Sequence, residues 1–342
     1  MNIIIPIFHF VKSGGMRVLC RLASEWADTG NSVELAVADD SRPYFAVSDK
    51  VRIINFNKKG YFEKFNAIVK HIRKNDKVDC VIANHNLTAA FVWIATRSNS
   101  AVGYYYIQAY EPDFYVRLNP KSIVKRLIAL YSYNLPLIKI VNSDLYKNYR
   151  QLHTDKVVYP GLDLSLFRPK PIDVIRDKVK IGTIGRVEEH KGTKDVCKAM
   201  EILRSEGIGF EFYLAFNDFD TIPHHFVIPD GDENLSTFYR DMDIIVAACK
   251  GQHGAIHYPV IETMAVGSTI VCTDYYPSTD NNAYKVDEAS PEQIAEAIKR
   301  IINNKEEAIK KREQALKDVQ QFDWSIVSEK FLNYLQEGSK IV

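Results

Sequence analysis

The feature that most constrains the fold is a regular alternation of short apolar segments with longer amphipathic ones. Segments typical of strands occur at residues 2–7, 32–38, 78–83, 103–108 and 138–142, and again at 180–184, 211–215, 244–248 and 269–273. Amphipathic patterns typical of helices occur near residues 15–29, 193–206, 291–302, 305–320 and 325–336. Strands that alternate with helices predict βαβ units and parallel sheets. The chain is therefore predicted to be an α/β protein.

The two series of strands are separated by YPGLDLSLFRPKP, residues 159–171, whose three prolines and one glycine are typical of a linker. Residues 1–160 hold 22 Lys and Arg against 13 Asp and Glu, whereas the remainder holds 22 against 30. Such opposite charges suggest two domains that meet different partners. We predict an N-terminal domain over 1–160, a C-terminal domain over 161–322, and a last helix in 323–342 that packs back toward the N-terminal domain.

Three features bear on where the protein works. The five cysteines are scattered without a CxxC pair, which argues against a disulfide framework or a zinc site and for reduced thiols in a cytoplasm. The start, MNIIIPIFHF, lacks a basic lead-in and is interrupted by Pro6, so it is interpreted as a strand and not as a signal peptide. No apolar run approaches the roughly 18–20 residues that span a membrane. The prediction is a cytoplasmic protein, at most peripheral to a membrane.

The segment IGTIGRVEEHKGTKDV, residues 181–196, contains a candidate site for phosphates. A strand ends at Gly185, Arg186 follows at its carboxyl edge, and Lys191 with Gly192 opens the next helix. Two cations beside the first N–H groups of a helix suit a phosphate or pyrophosphate. The alternative is that both cations are solvated loop residues.

A glycine pair follows the first strand in SGGMR, residues 13–17. Gly14 and Gly15 allow a close approach of the backbone to a ligand and leave amides free to donate. The segment matches neither a P-loop nor a GxGxxG pattern. A tight turn between strand and helix also favours glycine, so the pair alone decides nothing.

Glu262 stands out in the apolar segment YPVIETMAV, residues 258–266. Pro259 is predicted to be the first helical residue, which places Glu262 in the first turn, where the helix dipole alone stabilises a carboxylate by about 0.3–1 kcal/mol. The same position is the carboxyl edge of the second sheet. A carboxylate there can accept hydrogen bonds from a ribose diol.

Aromatic and polar side chains follow a strand of the first series in YYYIQAYEPDFY, residues 104–115. Aromatic rings with Gln108, Glu111 and Asp113 can hold a sugar, although tyrosines are also common in protein cores. At the same level of the sheet, Asn84 precedes His85, which is either a proton shuttle or a structural residue.

Two further patterns have competing interpretations. Asp241 and Asp243 form an Asp-x-Asp pair that can hold a divalent metal, but they run into IIVAAC and are better explained as a helix end and a strand start. Residues 119–139 and 58–74 mix basic and bulky apolar side chains, so each is either a membrane-interface helix or a solvated helix packed on the sheet.

Together these segments resemble the GT-B glycosyltransferases, specifically the large retaining family numbered four. The matching pieces, in order, are GGMRVLCRLASEWADTGNSVELAV, VVYPGLDLSLFRP, IGRVEEHKG, FYRDMDIIVAAC, YPVIETMAVGSTIV, ASPEQIAEAIKRIINN and FDWSIVSEKFLNYL. The resemblance covers nearly the whole chain. It implies two Rossmann-like α/β domains that face each other across a deep cleft, with a nucleotide sugar held mainly by the second.

The resemblance also assigns roles. Arg186 and Lys191 match the diphosphate-binding pair and Glu262 matches the glutamate that binds the ribose. The implied donor-binding residues are Gly14, Gly15, Gly185, Arg186, Lys191, His257, Tyr258, Val260, Ile261, Glu262 and Thr263. Those implied for the acceptor or the transferred sugar are Arg17, Asn84, His85, Gln108, Tyr110 and Glu111. Catalysis is assigned to Arg186, Lys191 and Gln108, with no metal and no cofactor.

The sequence departs from the family at two positions. A glutamate that usually lies eight residues before Glu262 is replaced by Gly254, and Gln108 stands near the position of a histidine that many members carry. The departures imply either a changed sugar pocket or a loss of catalysis. YYIQAYEPDFY is also similar to a subgroup that acts on rhamnose-containing polysaccharides, although Ala109 replaces its usual aspartate. This makes dTDP-rhamnose the first candidate donor, before a UDP- or GDP-hexose.

The predicted function is therefore a retaining hexosyltransferase. It moves a sugar from a nucleotide sugar to a lipid-linked saccharide acceptor. The product is predicted to become part of a cell-surface polysaccharide such as a capsule or O-antigen. Two alternatives stay open: a non-catalytic nucleotide-sugar-binding subunit, and a nucleotide-sugar epimerase, which needs no acceptor. Nucleic acid is not expected as a partner, because the basic residues form no recognised binding motif.

Overall fold

The computed structural model describes residues 1–115, 119–171, 176, 178–251 and 256–339. The chain divides into two compact units. The first unit comprises Met1–Gly161 and the C-terminal segment from Trp324, and the second comprises Leu162–Asp323. Each unit is built on its own six-stranded parallel sheet.

The first unit alternates strands and helices. Its strands are β1 (Asn2–Ile7), β2 (Ser32–Val37), β3 (Arg52–Asn55), β4 (Cys80–Ala83), β5 (Val102–Ile107) and β6 (Ile138–Val141). Its first four helices are α1 (Gly14–Asp28), α2 (Tyr61–Arg73), α3 (Asn86–Thr96) and α4 (Pro120–Ser132), with 3-10 helices at Glu111–Phe114 and Asp144–Asn148. The strand order is β3-β2-β1-β4-β5-β6.

The second unit repeats this plan. Its strands are β7 (Val179–Ile184), β8 (Phe210–Ala215), β9 (His225–Val227), β10 (Ile244–Ala247), β11 (Thr269–Cys272) and β12 (Tyr284–Lys285). Its helices are α5 (Thr193–Ser205), α6 (Gly231–Asp241), α7 (Tyr258–Val266), α8 (Pro291–Asn303) and α9 (Lys305–Asp318), with 3-10 helices at Glu189–Lys191 and Val319–Phe322. The order is β12-β11-β10-β7-β8-β9.

The last helix, α10 (Trp324–Ser339), lies against α1 in the first unit. The indole N–H of Trp26 donates to the carbonyl of Ser328 at 3.2 Å, and its ring packs edge-on against Phe331 with centroids 5.0 Å apart. Phe331 and Leu335 are completely buried in the core formed by β1, β2 and α1. Burial of a side chain of this size is worth about 1.5–3 kcal/mol, so α10 is an integral part of that core.

The two sheets share one topology, in which the chain starts in the middle, moves to one edge and then returns to the other side of its first strand. This reversal lies between β1 and β4 in the first unit and between β7 and β10 in the second. It is the strand order of a Rossmann-like domain, whose ligands bind beyond the carboxyl ends of the strands at the reversal. The predicted α/β class with parallel sheets is confirmed.

The predicted strands and helices agree with the structure to within about two residues at their ends, which is the usual ambiguity of such boundaries, except that α10 continues three residues beyond its predicted end, to Ser339. Three strands, β3, β9 and β12, were not predicted. They lie at or next to the sheet edges and are two to four residues long, and β3 and β9 have no fully buried position. Edge strands of this kind lack the apolar run by which a buried strand is recognised.

Candidate functional site

The carboxyl end of β7 is held tightly against the neighbouring strand. The N–H of Gly185 donates to the carbonyl of Ala215 at 2.8 Å, and the side-chain amide of Asn217 donates to the Gly185 carbonyl at 2.8 Å. A Cβ atom at Gly185 would lie 2.4 Å from the carbonyl oxygen of Asn217. Glycine is therefore required here by a close approach of two backbones, and Arg186 leaves the sheet in a defined direction.

Arg186 is exposed, although its backbone is fixed. Its N–H donates to the Thr193 hydroxyl at 2.9 Å, and that hydroxyl donates back to the Arg186 carbonyl at 3.1 Å. The guanidinium lies over the ring of Phe216, 5.6 Å from its centroid, an arrangement favoured by the negative face of the ring. The end of β7, the start of α5 and an aromatic ring thus position this cation together.

Lys191 is brought to the same edge by a turn that only glycine can complete. Gly192 has φ of +71° and caps α5, and a Cβ atom there would lie 1.8 Å from the carbonyl oxygen of Ala248. The N–H of Lys250 donates to the carbonyl of His190 at 2.7 Å, which ties the same turn to the segment after β10. The start of α5 therefore lies at the strand reversal between β7 and β10.

His257 immediately precedes α7 and is packed among side chains from this edge. Its Nε2 lies 3.5 Å from Sγ of Cys249, and its ring lies 4.6 Å from that of Tyr275. Burial first, and then the positive charges of Lys191 and Arg186, lower the pKa of His257 to about 3. The imidazole is therefore neutral at physiological pH, and the two cations lie close enough to influence it electrostatically.

Glu262 differs from its predicted placement. Helix α7 begins at Tyr258, so Pro259 is its second residue and Glu262 its fifth, beyond the first turn. The prediction that Pro259 opens the helix and that Glu262 lies in its first turn was wrong. The alternative explanation by the helix dipole alone therefore does not apply, because that effect is confined to the first turn. Glu262 is only 6% exposed.

A buried partner holds the Glu262 carboxylate. Tyr239 hydrogen bonds to Glu262, and burial followed by the charge of Glu262 raises the Tyr239 pKa well above its usual value. Arg186 acts on Tyr239 in the opposite direction. The carboxylate, the tyrosine and the cation therefore share one electrostatic environment at this edge.

The other donor residues implied by the resemblance lie on the same helix. Tyr258 is its first residue, and Val260, Ile261 and Thr263 are buried within it. The Thr263 hydroxyl donates to the Pro259 carbonyl at 2.5 Å. Val260 and Ile261 can therefore offer a ligand only their backbone groups, because their side chains are apolar and buried. Gly254 lies outside the described residues.

In the first unit, Gln108 follows β5 and contacts the start of α1. Its side-chain N–H donates to the carbonyl of Gly15 at 3.1 Å, and its own backbone carbonyl accepts from the Asn142 amide at 2.9 Å. Ser13 caps α1 by accepting from the Met16 N–H. Gly14 and Gly15 therefore form the first two positions of the helix, and Arg17 is exposed in its first turn.

Glu111 is the centre of a buried network on this edge of the first unit. Its carboxylate accepts from the backbone and side-chain N–H groups of Asn86, at 3.1 and 2.6 Å, and from the hydroxyl of Tyr105 at 2.7 Å. Nε2 of His85 lies 3.4 Å away, while Nδ1 of His85 accepts from the Leu87 N–H and caps α3. These contacts commit Glu111 and one side of His85 to the structure of the unit.

Two more predicted residues of the first unit also have internal partners. The side-chain amide of Asn84 donates to the carbonyl of Pro6 at 2.8 Å, which joins the ends of β4 and β1. The ring of Tyr110 packs between those of Tyr133 and Tyr149, at centroid distances of 5.8 and 4.3 Å. The tyrosines thus form an aromatic layer next to the Glu111 network.

The sequence analysis missed a charged cluster at the ends of β1 and β2. Asp39 accepts from the Lys64 ammonium at 2.7 Å and from the Ser41 hydroxyl at 2.6 Å, and it pairs with Nδ1 of His9 at 2.8 Å. Burial alone would raise the pKa of Asp39, but these hydrogen bonds lower it below its usual range. The sequence signal for this cluster was available, since His9 follows β1 and Asp39 follows β2.

Asp241 and Asp243 are both used within the second unit. Asp241 ends α6 and pairs with the Lys180 ammonium at 2.8 Å, and Asp243 accepts from the Lys180 N–H at 2.9 Å and from Arg176 at 3.1 Å. Over the described ranges, no three His, Cys, Asp or Glu side chains come together as a metal site would need. All five cysteines are unpaired and buried.

Comparisons with known proteins agree with this architecture. Residues 178–304 match the family model described as Glycosyl transferases group 1. The structure of Anabaena Alr3699/HepE in complex with UDP is similar over 98% of this chain and all of the other, with 14% identity and a TM-score of 0.73. Sucrose-phosphate synthase from Thermosynechococcus elongatus is similar over the full length of both chains, with 15% identity and a TM-score of 0.74. No curated protein matches.

A third similar structure is a glycosyltransferase from Rickettsia africae, with 15% identity and a TM-score of 0.72 over 100% of this chain and 99% of that one. The fold is that of the GT-B glycosyltransferases, as predicted, and the match over the second unit supports the prediction of a glycosyltransferase enzyme. Family four and the rhamnosyltransferase-like subgroup stay predictions. Within the described part of the chain, no helix has the length and apolar character needed to cross a membrane.

Proposed function

We propose that the protein is a retaining glycosyltransferase that moves a sugar from a nucleotide-sugar donor to a saccharide acceptor. The observation that carries the proposal is the cation pair Arg186 and Lys191 at the strand reversal of the second unit, beside the buried Glu262. This is the place where a Rossmann-like sheet binds ligands, and the charge there suits a diphosphate.

The second unit is proposed to bind the donor. Arg186 can grip two phosphate oxygens at once, and Lys191 adds a mobile point charge. The amides at the start of α7 add the donors that a helix N-terminus offers to an anion. His257 is neutral, so it can accept or donate one hydrogen bond there without adding charge. Glu262, oriented by Tyr239, is the proposed partner of the ribose hydroxyls.

The donor is proposed to be dTDP-rhamnose first, and otherwise a UDP- or GDP-hexose. Similar folds that bind UDP and UDP-glucose, in Anabaena Alr3699/HepE, support a nucleoside diphosphate sugar as the class. The first unit is proposed to bind the acceptor through Gln108, Tyr110 and the neighbouring polar groups. We further propose that the acceptor is lipid-linked and that the enzyme works on the cytoplasmic face of a membrane, in cell-surface polysaccharide synthesis.

The proposed chemistry depends on charge that develops on the leaving diphosphate. Preorganised donors aimed at such charge are worth about 2.7–4 kcal/mol each, and Arg186 and Lys191 supply them without a metal. Retention by double displacement needs a carboxylate free to attack the sugar. Glu111 is held in hydrogen bonds from Asn86 and Tyr105, which favours entry of the acceptor hydroxyl on the side of the leaving group.

Calorimetric titration with UDP, dUDP, dTDP and GDP tests the donor site. We expect one base to bind most tightly, and Glu262→Gln to weaken that ligand about tenfold, since a hydrogen bond to a charged group is worth about 1.5–3 kcal/mol. Tyr239→Phe is the matched control: it removes the partner of the carboxylate, so it lowers stability more than affinity. No binding of any nucleotide to the folded protein would refute the proposal.

The preference for UDP over dUDP tests the role of Glu262 more sharply than the affinity for one nucleotide does. If Glu262 binds the ribose diol, the variant should narrow the difference between UDP and dUDP, which differ only at the 2′-hydroxyl. If dTDP is the natural ligand, only the 3′-hydroxyl is available and the two uracil nucleotides should bind alike. If the wild type prefers UDP to dUDP and Glu262→Gln keeps that preference in full, the carboxylate has a purely structural role through Tyr239. If the wild type binds the two alike, the loss of dTDP affinity in Glu262→Gln decides instead.

A second candidate is a non-catalytic subunit that binds the nucleotide sugar. Gln108 favours it, because the residue stands where many family members have a histidine and its amide is bonded to Gly15. Mass spectrometry separates the two candidates: an enzyme releases nucleoside diphosphate from the donor when acceptor is added, or slowly by hydrolysis. A protein that binds donor but never releases the diphosphate is the subunit.

A further inference from the structure

Helix α4 exposes a continuous row of large apolar side chains. Ile123, Val124, Leu127, Ile128 and Tyr131 are 47%, 54%, 59%, 45% and 65% exposed, and we call these five residues the α4 face. Single exposed apolar residues are ordinary on protein surfaces, whereas contiguous patches mark interaction sites.

The α4 face points away from the rest of its unit. At 100° per residue its five positions span an arc of roughly 140° on the helix surface. The helix contacts α3 and the 3-10 helix Glu111–Phe114 through its other side, where Ala129 and Ser132 are buried. The α4 face therefore contributes little to the core, and folding does not explain it.

Basic residues border the α4 face on both sides. By the same helical spacing Lys121 lies just beyond one margin, whereas Lys125 and Arg126 lie about 60° beyond the two margins, toward the packed side, and all three are exposed. The helix has no acidic residue. Its setting is basic too, since residues 1–160 hold 22 Lys and Arg against 13 Asp and Glu.

We propose that the α4 face docks on an anionic lipid bilayer, with its apolar side chains at the boundary of headgroups and acyl chains and its cations at the phosphates. Apolar and basic residues on one helix without acidic ones are typical of helices that lie in a membrane interface. Only the purpose of the docking rests on the proposed function: it would bring the first unit to lipid-linked acceptors.

A second copy of this chain fits the surface less well. In a symmetric dimer the same patch meets itself, which would bring Lys121, Lys125 and Arg126 of one copy close to those of the other. Five side chains from one helix also offer much less than the roughly 800 Å² per partner of a standard interface. A bilayer instead meets both the apolar residues and the cations with matching chemistry.

Sedimentation with vesicles of phosphatidylcholine, or of phosphatidylcholine and phosphatidylglycerol in equal parts, tests the docking on the full chain. We expect binding to the anionic vesicles that weakens in high salt. Leu127→Gln with Ile128→Gln should lower the partition coefficient at least about tenfold, from the apolar area lost. Lys121→Gln with Lys125→Gln should lower it about 30-fold on anionic vesicles only, at about 1 kcal/mol per cation.

Matched controls lie elsewhere on the surface. Ile228→Gln with Ile326→Gln removes two apolar side chains that are 65% and 46% exposed, and Lys310→Gln with Lys317→Gln removes two exposed cations. Both control pairs should bind vesicles like the wild type. The nucleotide affinity of every variant should be unchanged, so a failure of docking and a failure of the donor site are told apart.

Three results would overturn the proposal. The wild type could fail to sediment with either vesicle, the α4 variants could bind as well as the controls, or sedimentation velocity without lipid could show a dimer that Leu127→Gln with Ile128→Gln converts to a monomer. The last result would assign the α4 face to self-association. Because all the replaced side chains are exposed, loss of folding is not an expected complication.

Discussion

The two units share one strand order but differ in the chemistry at the carboxyl ends of their strands. The second unit presents Arg186 and Lys191 beside a neutral imidazole and a buried carboxylate. The first unit presents amides, tyrosine rings and a carboxylate, Glu111, whose oxygens already accept hydrogen bonds. The scaffold determines where a ligand can lie, and the residues just past the strands determine what kind of ligand it is.

The two edges also differ in how rigidly their glycines are held. Gly192 in the second unit has a left-handed backbone and lies against a carbonyl, whereas a Cβ atom at Gly15 would only contact the flexible end of Gln108, at 3.4 Å. The donor-side turn thus tolerates no side chain. The glycine pair of the first unit leaves room for one.

The largest expected effect is a loss of stability when an alanine replaces the more tightly held glycine. Gly192→Ala forces a positive φ, which costs about 1–3 kcal/mol, and drives a methyl group into the Ala248 carbonyl, so we expect a loss of about 4 kcal/mol in the free energy of unfolding. Gly15→Ala, the matched control, should change it by less than about 1 kcal/mol. Urea denaturation measures both. Equal losses in the two variants would contradict the distinction.

The second prediction concerns the cation at the end of β7. Arg186→Ala should lower kcat/KM about 100- to 1000-fold, because it removes a donor from the developing negative charge of the leaving diphosphate. Arg204→Ala is a close control, since its guanidinium also lies over a phenylalanine ring, 5.5 Å from the centroid of Phe210, but at the amino end of β8. Steady-state kinetics with the donor identified by calorimetry measures both.

Either of two outcomes would change the interpretation of this pair. If Arg204→Ala lowered the rate as much as Arg186→Ala, the common cause would be loss of an arginine–aromatic contact and of local stability. If neither variant changed it, the diphosphate would have to be held elsewhere in the second unit.

Much of this comparison could be predicted from the sequence. Arg186 follows a buried strand and Lys191 precedes a helix, so their place at the sheet edge follows from the order of strands and helices. Glu262 was recognised as a carboxylate within an otherwise apolar helix. Gly192 was likewise predicted to open a helix. The preference for right-handed crossovers between parallel strands restricts the possible topologies of each sheet but does not determine the strand order.

What the sequence could not reveal was how side chains distant in the chain share their hydrogen bonds. Tyr239 approaches Glu262 across 23 positions, and Lys64 approaches Asp39 across 25. Neither pair has a periodic pattern, because such contacts depend on tertiary packing. The start of α7 was misplaced by one residue for a local reason, since proline is tolerated throughout the first turn of a helix.

The third prediction uses the buried histidine of the second unit. His257 has a pKa of about 3 in the folded chain against about 6.5 when unfolded, so between these values the unfolded state binds more protons and stability falls as the pH falls. From pH 6.5 to pH 5 this amounts to about 1.6 kcal/mol. His257→Phe should remove that part of the slope in urea denaturation.

His190→Gln is the control for this slope. His190 is exposed in the same unit, so its replacement should leave the dependence of stability on pH unchanged. If His257→Phe kept the wild-type slope while remaining folded, the imidazole would have to be accessible to protons in the native state.

The smallest loss of stability and of affinity is expected for the side-chain amide of Gln108, which contacts the glycine pair of the first unit. Gln108→Ala removes the hydrogen bond to the Gly15 carbonyl, worth about 1 kcal/mol of stability, and should leave nucleotide affinity within about twofold, because the donor is proposed to bind to the second unit. Gln320→Ala removes a similar side-chain-to-backbone bond, to Leu316 at 2.8 Å, and serves as the control.

If Gln108→Ala also lowered turnover well beyond the control at unchanged affinity, Gln108 would act on the transferred sugar or the acceptor. If turnover followed stability alone, its amide would serve only to hold the start of α1.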